Sequence, residues 1–476
     1  MHARFVQVVV LVAFLGVCPT TMAANDAPRA TEPDAPAGAL TPTPEAKPGT
    51  VSFRRDIAPM LVEKCQACHG PDKSESSFRV DTFARVKKAG DNELPPFTAG
   101  KPDESELLRL ISSDDKNERM PKDGEPLSAE QVALVKKWIE EGAAFDGGDE
   151  NALLASILPR RPQPAPPEAY RLPVPITALA FHPSGNELFV AGYHEITVWN
   201  AADGSLVRRI KDIAQRTHSI SFNADGSLLA VASGTPGRLG EVLLVNPGDG
   251  SLVRALGKSA DETFDAQFSP DGKQLATAGA DRTIRIYDVA SGNQFRVIEN
   301  HADWVMAVAW SPDGTKLASA SRDKTAKLFE AATGNLLATH SGHGEPVYGV
   351  AFKADGQQVY SAGRDRKIRA WKIADGSNAG ETGGFGEEVY KLVSRDGSLF
   401  ASSADKTVRQ FRDSDRGQVR QFDGQTDWVY AVAVHSATKR VASGGYNGQV
   451  VVWNLDDGKP IASFVAAPNF AAATAK

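Results

Sequence analysis

The chain has 476 residues, too many for one ordinary hydrophobic core, so two domains with tails are expected. Its 53 Lys and Arg against 59 Asp and Glu give a net charge of −6, with 24% charged and 41% hydrophobic residues, an ordinary soluble balance that argues against a nucleic-acid partner. Three cysteines, one of them Cys18 near the N-terminus, are too few for a disulfide scaffold.

Met1-His2-Ala3-Arg4 is followed by an apolar run from Phe5 to Val17, broken by Gln7, and then by the small residues around Ala23 and Ala24. A cationic start, a short apolar stretch and small residues have the build of a secretory signal peptide over residues 1–24. The expectation is an exported, periplasmic protein. The run is too short to span a bilayer, which takes about 20 apolar residues, and no later stretch is long enough, so no transmembrane segment is expected in the mature chain. Lipoprotein anchoring through Cys18 is disfavoured, because Val17 is bulkier than the residue that usually precedes a lipidated cysteine. Residues 25–50 are rich in Pro, Ala, Thr and Glu without apolar periodicity, which predicts a disordered tether.

Residues 51–145 read as a small helical domain. Asp56–Lys64 predicts a short helix, with Pro59 tolerated in its first turn. It delivers Cys65-Gln66-Ala67-Cys68-His69, a C-x-x-C-H motif. Two thiols at this spacing suit addition to the vinyl groups of haem, and the adjacent imidazole suits its iron. A zinc site would need further Cys or His nearby, and none follows before His182. A redox dithiol would need an α/β context, which is absent. One covalent haem c is therefore expected, with His69 as one axial ligand. By elimination among five methionines the other is Met120. Met1 and Met22 leave with the signal, Met60 shares the helix that leads to His69, and Met306 falls far along the chain in an alternating apolar run of strand type. Ser128 and Gln131 have capping-box spacing and open a last helix, whose Val132, Val135, Trp138 and Ile139 share one face and are expected in the core, Trp138 near the haem.

Residues 146–175 include Pro159-Arg160-Arg161-Pro162-Gln163-Pro164-Ala165-Pro166-Pro167, which predicts a polyproline-type linker holding two domains apart. From 176 to 466 the chain repeats. Phe181, Phe222, Phe268, Trp310, Phe352, Val393 and Val434 recur at an almost constant step, each unit carrying hairpin turns such as Asp271-Gly272 and Asp313-Gly314. The one long step holds Gly234–Gly240, an insertion in the second unit. Lys459–Val465 is favoured over Tyr170–Val174 as the strand that completes the seventh unit. Residues 467–476 form a tail.

These features carry two resemblances. Phe53–Pro59, the Cys68-His69-Gly70-Pro71 exit, Met120-Pro121 and Trp138–Ala143 are similar to the planctomycete-type c-type cytochrome domain, which implies an all-α, class I-like fold with His and Met ligands. Ser311-Pro312-Asp313-Gly314 and Asp281–Asp288 resemble WD repeats, which implies an all-β seven-bladed propeller. In such propellers Gly342-His343 with Asp365, and His301 with Asp323, are expected to be scaffold. The cations at the turns, Arg282, Arg285, Arg322, Lys324, Arg364, Arg366, Lys367, Arg369, Lys406 and Arg409, read as a solvated surface or, alternatively, a basic face that steers an acidic partner. The favoured reading is a one-electron carrier, with no catalytic residues, whose propeller docks a redox partner protein. The alternatives are an oxidoreductase with a second cofactor in the propeller and an interaction or redox-sensor protein.

Overall fold

The computed structural model of the chain describes residues 50–71, 73–122, 124–160 and 162–470. The expected signal peptide, Cys18 and all of the tether but Thr50 lie outside these residues, as do residues 471–476 of the tail.

Ser52 accepts a hydrogen bond from the Arg55 amide and starts a single wide turn, Phe53–Ile57, which runs into α1 (Ala58–Lys64). Pro59 sits in the first turn of α1, where a missing amide hydrogen costs nothing. The short helices α2 (Phe83–Val86) and α3 (Glu106–Ile111) precede α4 (Ala129–Glu140), which opens with the expected reciprocal Ser128 and Gln131 cap. Val135, Trp138 and Ile139 on α4 are buried, with Val132 partly so. Trp138 packs on Phe53 at 5.4 Å and Phe97 at 4.9 Å, and its Nε1 donates to the Ala144 carbonyl at 2.9 Å.

This helical core reaches past residue 145. In α5 (Leu154–Ile157) both Leu154 and Ile157 are buried in it, and Arg54 Nε donates to the Ile157 carbonyl at 2.7 Å. Only Leu158 and Pro159 separate α5 from Arg160, which is already bound to the propeller. Arg160 pairs with Glu241 at 2.8 Å and with Asp212. The Pro-rich segment is therefore strapped down and does not act as an open spacer. The reason is electrostatic. Glu241 and Glu195 are buried carboxylates that need partners: Arg160 serves the first, and Arg209 at 2.6 Å with the Tyr170 hydroxyl at 2.6 Å serves the second. Arg209 also donates to the Pro167 carbonyl at 2.6 Å, holding the strap down.

Among the described residues, twenty-eight strands form seven four-stranded antiparallel sheets, each built from four consecutive strands. The chain turns after every strand, so the turns between second and third strands and the connections between blades share one end of the ring. Buried side chains of adjacent blades interlock, as where Phe189 meets Phe222 at 5.0 Å. In blade two the insertion lengthens a hairpin, Leu229–Thr235 against Leu239–Val245. Blade seven takes Pro460–Val465 as its fourth strand, so no strand is shared across the closure with blade one. That seam is held by His435 Nε2 donating to the Pro183 carbonyl at 2.9 Å, by Arg440 on the Gly185 carbonyl at 2.9 Å, and by Trp199 against Phe464 at 4.7 Å. Among the described residues no helix is long and apolar enough to cross a membrane.

Candidate functional site

α1 ends at Lys64, and the next four residues turn back on it. The amides of Cys68 and His69 donate to the Cys65 carbonyl at 3.2 and 3.0 Å. Gly70 is required directly after: a Cβ there would stand 2.5 Å from the Gln66 carbonyl oxygen. The chain then closes a small loop, with the Val80 amide donating to the His69 carbonyl at 2.8 Å. The His69 ring packs edge-on against Phe78 at 5.4 Å, and its Nδ1 lies 3.2 Å from the Phe78 carbonyl. A carbonyl can only accept, so Nδ1 carries the proton and Nε2 keeps its lone pair for a metal.

Cys65, Cys68, His69 and Met120 line one cavity of about 640 Å³, a size usual for cofactor sites. Met120 lies on the loop after α3, its amide donating to the Leu110 carbonyl at 3.0 Å. The walls are apolar, from Phe78, Val80, Leu94, Leu107, Leu110 and Ile111. Lys64, Lys122 and Asn92 also line the space, together with Glu75, Asp91 and Glu106, and Asn92 donates to Glu106 at 3.1 Å. Burial, aided by the neighbouring Cys68, pushes the Cys65 thiol up to about 11. That is the reverse of the low thiol value of a disulfide-exchange site. Cys65 and Cys68 form no disulfide. An apolar slot with two thiols, an imidazole whose tautomer is fixed and a thioether fits a haem.

The structure brings all four expected residues together. Trp138 does not join them: it is core, held among Phe53, Phe83 and Phe97. Sequence reasoning missed the role of Phe78, because its hydrogen-bonding group is a backbone carbonyl that leaves no mark on residue type.

In the propeller, His301 bridges Asp323 at 2.8 Å and Ser319 at 2.7 Å, and His343 bridges Asp365 at 2.9 Å and Ser361 at 2.8 Å. Both are buried ties across a blade. His340, 5.9 Å from His343 ring to ring, stacks on Trp371 at 5.8 Å. Among the described residues no group of three or more His, Cys, Asp or Glu is placed to hold a metal ion. The alternative reading of these cations as a basic face finds most of them already paired with carboxylates. Arg285 pairs with Asp281 at 2.6 Å, Arg322 with Asp303 at 2.8 Å, Arg364 with Glu388 at 3.1 Å, Lys367 with Glu381 at 2.7 Å and Arg409 with Asp405 at 2.7 Å. Arg369 pairs with Asp365. Arg282, Lys324, Arg366 and Lys406 remain as exposed tips in the left-handed conformation, with φ of 67°, 71°, 63° and 71°.

Comparison with known families agrees with this geometry. Residues 65–124 match the family model for planctomycete cytochrome C, a span that holds all four expected ligand residues. That match implies a haem c cofactor. Residues 250–288, 292–330, 334–372 and 416–454 match the WD domain, G-beta repeat. No curated protein matches the chain. A cytochrome c-like domain beside WD repeats points to a redox or protein-interaction role. The chain thus joins a cytochrome domain of the planctomycete type to a seven-bladed WD-repeat propeller.

Proposed function

We propose that the chain is an exported one-electron carrier holding a single haem c, attached through Cys65 and Cys68 and ligated by His69 and Met120, with the propeller as the module that docks its redox partner. One observation carries the reading: two thiols and an imidazole from the turn after α1 and a thioether from a segment about 50 residues further along the chain line the same cavity. Export rests on the composition of residues 1–24.

A bound haem supplies an iron that gains and loses one electron. The protein's part is to hold and to shield. Phe78 fixes the His69 tautomer, so the ring needs no proton rearrangement to coordinate. With a haem in place, the apolar side chains of Leu107, Leu110 and Ile111 would limit water around it and favour the less charged state of its iron. A thioether from Met120 would act in the same direction and compete with small added ligands.

The test is purification of the mature chain from the cell envelope, followed by acid-acetone extraction, haem and metal quantification, and redox titration. The expected result is one haem per chain that stays with the polypeptide and is reversibly reduced. Extractable colour overturns covalent attachment. A second chromophore or metal favours the oxidoreductase reading. Partner affinity that tracks oxidation state favours a sensor.

A further inference from the structure

Blades four and seven repeat the same two residues before their inner strands, Asp303-Trp304 and Asp427-Trp428. The backbone frames agree. Each Trp amide donates to the preceding Asp Oδ1 at 2.8 Å. Each Trp carbonyl accepts from a residue in the turn after the second strand: Arg322 at 2.9 Å in blade four and Tyr446 at 2.8 Å in blade seven.

The side chains then diverge. In blade four the Arg322 guanidinium lies 4.0 Å from the Trp304 ring and its Nε donates to Asp303 Oδ2 at 2.8 Å. Ring and carboxylate together hold one planar cation, the geometry that guanidinium satisfies better than any other side chain. In blade seven, among the described residues, the same ring and carboxylate hold no cation. Among the described residues Asp427 makes no ion pair, Trp428 is 46% exposed, and Tyr446, at the place of Arg322, is 49% exposed. Tyr446 adds a second ring 5.7 Å from that of Trp428, and Tyr430 and Tyr390 extend the row of aromatic rings at 6.1 and 4.8 Å.

We infer that Asp427, Trp428 and Tyr446 form a receptor for an arginine side chain presented by a partner protein. Blade four supplies the template, with its own Arg322 in the equivalent seat. The charge of the chain points the same way, since a net −6 favours a basic partner. Exposed Trp and Tyr beside a carboxylate also have the composition of an interface hot spot. The inference rests on the reading of the propeller as the docking module and names the chemistry that it docks.

The experiment titrates the full mature protein with the peptide Gly-Ser-Arg-Ser-Gly and its lysine and citrulline counterparts, read by saturation-transfer NMR and calorimetry. Wild-type protein is expected to bind the arginine peptide, with lysine weaker and citrulline weaker by at least about tenfold, because only the charged planar group meets both ring and carboxylate. Tyr446→Arg fills the seat from within, as in blade four, and is expected to abolish binding while unfolding at the wild-type temperature. Trp428→Leu and Asp427→Asn are expected to weaken it by at least about tenfold. Arg322→Tyr is expected to open a second site and double the stoichiometry. No binding by wild type, equal binding of citrulline, or undiminished binding by Tyr446→Arg overturns the inference. Reversible haem reduction of the same samples, measured separately, shows whether the electron-carrier reading stands or falls on its own.

Discussion

The Phe78 carbonyl accepts the Nδ1 proton of His69 at 3.2 Å, so a loop closed nine residues after the histidine decides which of its nitrogens is free to bind metal. Met120 stands on the same cavity but is held by a different element, through Leu110 at the end of α3. The two proposed ligands are thus positioned independently.

Met120→Ala should therefore leave haem attached through the cysteines and His69 while removing one ligand. The expected outcome is a lower potential, an altered spectrum in the reduced state and tighter binding of added imidazole, by potentiometry and ligand titration. An unchanged spectrum and potential would remove Met120 from the site.

Cys65→Ser and Cys68→Ser should each leave one thioether link, so that colour still resists acid-acetone extraction. The double variant should release its haem. Release from either single variant would mean that only one cysteine is bonded.

Much of this site was legible from sequence because chemistry-bearing side chains announce themselves: a C-x-x-C-H run has few uses, and elimination left one methionine. The propeller was legible because its period repeats seven times. What could not be read was carried by backbone or by distance. Phe78 acts through a carbonyl. Trp138, expected near the haem, is claimed by an aromatic cluster drawn from Phe53, Phe83 and Phe97, residues far apart in the chain. The prolines at 159–167 suggested a spacer, and the composition gave no hint that Arg160 beside them answers Glu241, a carboxylate 81 residues away. The family matches leave out blade one and take in only the fourth strands of blades two and six. In blade six Phe385, with Arg409 stacked on it at 4.4 Å, stands where blades four and five have His301 and His343.

Arg160→Ala should strand Glu241, which is 1% exposed, without a cation. Leaving a buried charge unpaired costs about 3–5 kcal/mol. Urea unfolding followed by a propeller tryptophan signal should show that loss, and limited proteolysis should cut the strap between residues 158 and 170. Adding Glu241→Gln to Arg160→Ala removes the stranded charge and should recover much of the stability while the strap stays cleavable. Equal stability of wild type and Arg160→Ala would show that water reaches Glu241.

Acid stability follows from the two histidine ties. Burial alone would raise Asp323 and Asp365, but hydrogen bonds from His301 and His343, with further hydrogen bonds and nearby charge, hold both below the ordinary carboxylate range. In the turn of blade four, hydrogen bonds from Ser311 and Thr315 hold the exposed Asp313 at about 2. Each is a carboxylate whose value is lower folded than unfolded. Its stabilisation is complete above the unfolded value of about 3.9 and is lost as pH falls toward the folded one. The melting temperature should be flat from neutral pH to about pH 5 as far as these groups are concerned, and fall below about pH 4. Asp323→Asn replaces a charged acceptor of His301 with a neutral one and should cost about 1–3 kcal/mol at neutral pH, while flattening the fall in acid. Asp313→Asn should do little by comparison, because water already screens that side chain. Calorimetry of the three proteins between pH 7 and pH 2.5 separates these outcomes, and an acid transition as steep in Asp323→Asn as in wild type would show that other carboxylates govern acid unfolding.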